Sequence, residues 1–176
     1  MPGFLEELKS LYRVQLERHR NRPFLRGVMA AAALVASIHG QVTLGQRMRL
    51  DKVLETLNEL KVFDPHEGVD LFDEYVQAIL EDPPKGQTRA LRDVKEVAAE
   101  DGEKAELLIR ICLAISEADG GIDLAEQIEI VTLCSILGVD PSNHALYTDD
   151  PAGGVIARIN REAAAAADVA NGHASS

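Results

Sequence analysis

The sequence predicts an all-α fold, a single-domain helical bundle of two pseudo-repeated helical hairpin units, and three observations carry that prediction. Apolar residues recur at helical spacing through most of the chain. Aromatic residues are only 4%, with no Trp. A core of Leu, Ile, Val and Ala then favours packed helices over a sheet. No segment sustains the apolar–polar alternation of a strand, so none is assigned.

The elements follow in order. Phe4, Leu5, Leu8, Leu11, Tyr12 and Leu16 make one face of an amphipathic first helix, expected to pack on its own bundle. Asn21-Arg22-Pro23 should end it, because proline disfavours helix in the residue before it. A second helix should run from Pro23 to Ile38 and stop at Gly40. A third spans Thr43 to about Leu60, and a fourth opens at Asp64-Pro65 with Val69, Phe72, Val76 and Ile79 on one face. Glu81-Asp82-Pro83-Pro84-Lys85-Gly86 reads as a loop between halves. A short helix is expected after Thr88, then one from Glu103 to Glu117 and one from Asp123 to Leu137, stopped by Gly138. Asp140-Pro141 opens a turn of helix, and Val155, Ile156 and Ile159 belong to a last one. The domain reading is an amphipathic helix at 1–22, a helical domain at 23–147, an extension helix at 148–168 and a disordered tail at 169–176.

Charge narrows the function. Residues 1–30 hold Lys9, Arg13, Arg18, Arg20, Arg22 and Arg26 against Glu6, Glu7 and Glu17, a balance of +3. The rest of a chain whose net charge is −11 then carries −14. So acidic a body repels nucleic acid. The basic amphipathic start could dock on an anionic membrane through residues 1–20 or in a groove of another protein. The longest apolar run, Val28 to Ile38, is half the length of a membrane span. Charges throughout residues 1–20 argue against a secretory signal. A cytoplasmic protein is expected, with Cys112 and Cys134 reduced and buried. Nothing resembles a nucleophile–base pair: His19, His39, His66, His144 and His173 form no metal-type pair and none neighbours a cysteine. The expectation is a protein that is not an enzyme.

A shift of 80 residues superposes 29–50 on 109–130. Gly40 falls on Gly120, Leu44 on Leu124, Val35 on Ile115, Val42 on Ile122, Met48 on Ile128 and Leu50 on Ile130. The second copy holds three carboxylates, Asp119, Asp123 and Glu126, around its turn. Two readings stand side by side. Carboxylate oxygens suit a hard cation, Ca²⁺ or another divalent ion, although the spacing is not that of a twelve-residue calcium loop. Alternatively, Gly120 or Gly121 ends one helix, and Asp123 with Glu126 is a capping box for the next. The first copy has Thr43 and Gln46 at these places, also a box, and His39 in place of Asp119.

Ala118-Asp119-Gly120-Gly121-Ile122-Asp123-Leu124-Ala125-Glu126, followed by Ile136-Leu137-Gly138-Val139-Asp140, resembles the signature of the TerB-like tellurite-resistance family over roughly residues 23–145. The resemblance implies an all-helical, internally duplicated module of bacterial tellurite resistance and stress response, cytoplasmic, binding or scaffolding other proteins. It implies an acidic metal site with Asp119 and Glu126 as ligands and Asp123 in support. Ile38-His39-Gly40 and Gln46 depart from the pattern in the first half. His39 would offer imidazole nitrogen there, which favours a transition metal over Ca²⁺.

Overall fold

A computed structural model describes residues 3–144 and 146. Six α-helices follow one another: α1 Phe4–Ala36, α2 Leu44–Thr56, α3 Pro65–Glu81, α4 Pro83–Glu100, α5 Gly102–Ser116 and α6 Leu124–Leu137. Single 3₁₀ turns cover Glu117–Asp119 and Pro141–His144, and no strand occurs among the described residues. The expected helix at 148–168 and the tail at 169–176 lie outside them.

The second half of α1 is the axis of the bundle. Phe24, Leu25 and the whole run Gly27–Ala36 are buried, and α3, α4, α5 and α6 pack around them. Four consecutive alanines, Ala30 to Ala33, let those helices approach from all sides. The run too short to span a membrane is therefore the centre of the core, and no helix among the described residues is long and apolar enough to cross one. Phe72 and Tyr75 from α3, Val94 and Val97 from α4, Leu108, Ile109 and Ile115 from α5, and Ile130 and Leu133 from α6 complete the interior. Each such side chain stabilises the fold by about 1.5–3 kcal/mol. Tyr75 donates its hydroxyl to the buried carboxylate of Asp93, tying α3 to α4. Burial first, and then that bond, push the phenol well above its ordinary range. Cys112 and Cys134 are free and buried. Burial raises both thiols, Cys134 to about 11.

Four sequence expectations are corrected. Pro23 does not end the first helix: α1 passes through it. Proline removes one hydrogen bond and crowds the preceding turn, but the chain is held on both sides. Downstream, residues 24–36 are fixed in the core. Upstream, Arg18 and Arg22 reach Glu67 on α3 at 3.4 and 2.9 Å and lie over the Phe63 ring. Nor does the first stretch pack its apolar face on the other described helices. Phe4, Leu5, Leu8, Leu11, Tyr12 and Leu16 are between 50% and 78% exposed. The third helix ends at Thr56 rather than Leu60, because Leu57 turns extended and swings Leu60 and Phe63 into the core. The loop at 81–86 is one residue, Asp82. It closes α3 and caps α4, accepting from Lys85 N–H, while Pro83 takes the first helical place, where its missing donor costs nothing. The helix expected after Thr88 is thus 18 residues long.

Candidate functional site

Two turns meet at one end of the bundle, and each is dictated locally. The α1–α2 turn reverses at Gly40 (φ 78°), and the α5–α6 turn at Gly120 (φ 101°). Left-handed backbone at both explains the glycines. Each helix that follows opens with a reciprocal capping box. Gln46 N–H donates to Thr43 Oγ1 at 3.1 Å and Thr43 N–H to Gln46 Oε1 at 3.0 Å. Glu126 N–H donates to Asp123 Oδ1 at 3.0 Å and Asp123 N–H to Glu126 Oε2 at 3.1 Å. The boxes are those expected from sequence.

The turns also bind each other. Thr43 Oγ1 donates to Asp119 Oδ2 at 2.7 Å. His39 Nε2 lies 2.5 Å from Asp123 Oδ2. Each turn thus sends the residue before its glycine to the capping residue of the other. Gly45 on α2 leaves room for this contact, since a Cβ there would push the Asp119 carboxylate aside. Asp119 thereby sits against the first turn of α2, where a helix favours negative charge.

The three carboxylates proposed from sequence separate into two groups. Asp123 and Glu126 converge with His39, each offering one ligand atom, and these atoms lie within 4.8 Å of one another. Asp119 is turned to Thr43 instead. His39 is the residue that spacing within the second turn could not supply. Its pairing with Asp123 spans 84 positions, and the signal for it in the sequence was its place before Gly40, matching Asp119 before Gly120.

The acids differ in environment. The N–H of Glu126 holds the Asp123 carboxyl below its ordinary range, and the bond with His39 adds to that. Burial raises Glu126, which is 5% exposed. Asp123 Oδ1 and Glu126 Oε2 are committed to the box. Asp123 Oδ2 and His39 Nε2, paired with each other, and a carboxylate oxygen of Glu126 are the atoms that converge. One nitrogen and two carboxylate oxygens form a mixed set that fits a zinc-type ion. It falls short of the six to eight oxygens that Ca²⁺ takes.

Comparison with known proteins agrees with this architecture. A family model described as "Tellurite resistance protein TerB" matches residues 26–148. "Tellurium resistance protein TerB" from Alcaligenes sp is 26% identical over 97 residues, covering 55% of this chain and 79% of that protein. No solved structure matches with comparable significance.

Proposed function

This chain belongs to the TerB family, whose model spans α1 from Arg26 onward through α6 and beyond, and from that premise we propose a tellurite-resistance-associated binding module, without catalysis, that holds a divalent cation between its two turns. The observation that carries the reading is the convergence of His39 from the first turn with Asp123 and Glu126 from the second. The ligands are His39, Asp123 and Glu126, and Asp119 supports them by fixing Thr43 and the start of α2. A cation there would take the place of the proton that His39 Nε2 shares with Asp123 Oδ2. It would also offset the cost of keeping Glu126 ionised while buried. Binding would then pull the two turns together, and the module would be stiffer with metal than without it.

Calorimetric titration of Zn²⁺, Mg²⁺ and Ca²⁺ into chelator-stripped protein tests this, alongside His39→Ala and Glu126→Gln. The expected result is saturable Zn²⁺ binding, lost in both variants, with Ca²⁺ no tighter than about 10⁻⁴ M. Absence of Zn²⁺ binding at millimolar concentration, or binding unchanged in His39→Ala, sinks the proposal. The first outcome would leave the turns as a metal-free clasp in an interaction scaffold, and the second would place the bound ion elsewhere.

A further inference from the structure

Among the described residues, nothing covers the apolar stripe on the first half of α1. Phe4, Leu5, Leu8, Leu11, Tyr12 and Leu16 fall on one side of the helix and are all exposed. A helix of this length is marginal in water on its own, and an apolar stripe is ordinarily hidden against something. Independently of the cation reading, we propose that a second copy of this chain covers it, the two N-terminal halves of α1 packing antiparallel in a two-fold dimer.

Three observations select this occupant. The first is area. Six large side chains per copy, each losing on the order of 100 Å² to its opposite number, cover about 1,200 Å², the lower bound for a stable specific interface. The second is charge along the helix. Residues 4–20 carry Glu6, Glu7 and Glu17 with Lys9, Arg13 and Arg20, while Arg18 is engaged with Glu67. An interfacial membrane helix wants a polar face rich in Lys and Arg. A face with three charges of each sign is better matched to a copy of itself. The third is the charge of the body. Residues 1–22 hold five Lys/Arg and three Glu, a sum of +2, so the rest of a −11 chain carries −13. A parallel pair would press two such bodies together. An antiparallel pair sets them at opposite ends of a helix segment about 20 Å long, well beyond a Debye length of about 8 Å. Full overlap of the stripes then places Phe4 of one copy opposite Leu16 of the other, and Leu8 opposite Tyr12.

Sedimentation equilibrium of the full chain over a dilution series reads the assembly directly. The mass expected is that of two chains, falling to one chain in the Leu8→Glu/Leu11→Glu double variant. That variant should keep its helical content and its cooperative melting, because both side chains lie outside the core. Oxidation of a mixture of Phe4→Cys and Leu16→Cys proteins should give the mixed disulfide, with neither protein cross-linking alone. Cys112 and Cys134 stay silent because they are buried. A one-chain mass for the wild type at every concentration overturns the proposal, as does a two-chain mass that survives the double substitution. Self-cross-linking of Phe4→Cys overturns the antiparallel arrangement. Co-sedimentation of monomer with vesicles of equal phosphatidylcholine and phosphatidylglycerol would assign the stripe to lipid instead.

Discussion

The turn at Gly40 and the turn at Gly120 share a backbone and differ in chemistry. Both reverse at a left-handed glycine, and both start the next helix with a reciprocal box. One box is Thr43 and Gln46, without charge; the other is Asp123 and Glu126, with two carboxyl groups. A cap asks only for acceptor oxygens, so the charges in the second turn exceed what capping needs. They are turned toward the first turn, where Asp123 meets His39 and Asp119 meets Thr43. The neutral box makes this approach tolerable. Carboxylates in both turns would set like charges face to face, whereas a hydroxyl and an imidazole receive them. His39 and Thr43 in the first turn thus receive the carboxylates of the second.

The comparison can be broken at its caps first. Asp123→Ala removes the cap of α6 together with the contact to His39, and should destabilise metal-free protein by about 1–2 kcal/mol in a denaturant titration. Thr43→Ala removes a cap and a donor to Asp119 and should cost about 1 kcal/mol. Equal losses would mean that the charges of the second turn add nothing to its cap. The Asp123 carboxyl is held below its ordinary range. Its contribution is therefore complete above the unfolded value and disappears as pH falls through the lower folded one. The deficit of Asp123→Ala should shrink in acid accordingly.

The cross-turn pairs come next in size. A double-mutant cycle on His39 and Asp123 should return about 0.2–1 kcal/mol, since both are exposed, and less in high salt. A cycle on Thr43 and Asp119 should survive salt better, because the Thr43 donor is neutral. Equal salt sensitivity would deny the distinction between them. The smallest effect sharpens the comparison most. Glu126→Gln gives the second box the side chain that the first already uses. The folded Glu126 carboxyl is raised by burial, so its ionisation opposes folding as pH rises through the folded value. Glutamine escapes that cost. In metal-free protein, the variant should gain slightly near neutral pH and lose the gain below the ordinary glutamate value of 4.5. A loss near neutral pH that disappears in acid would show that the box needs its charge.

Much of this was legible in the residues. Thr43-x-x-Gln46, Asp123-x-x-Glu126, Asp64-Pro65 and Gly138 announce helix ends by local chemistry, and each acts where it stands. What escaped depends on contacts between distant segments. Pro23 reads as a stop because its own peptide disfavours helix. Glu67, more than forty residues away, helps hold the helix through it. Pro83-Pro84 reads as a loop because prolines usually end a helix, yet Asp82 lets them begin one. The stripe of Phe4 to Leu16 is amphipathic as predicted, but periodicity cannot tell a face that meets its own bundle from one left exposed. Likewise the three carboxylates were placed correctly on their turn, while the grouping of two of them with His39 is set by how the hairpins stack.

The buried thiols give the fold a clock. Cys112 lies on α5 and Cys134 on α6, both inside the core and both with pKa values raised by that burial. A thiol reagent attacks the thiolate, and neither side chain presents one to solvent at neutral pH. Modification must therefore wait for the α5–α6 hairpin to part, and the rate of labelling counts those openings. Because the same hairpin carries Asp123 and Glu126, that clock would slow whenever something braces the turns, and would do so without a probe added to the protein.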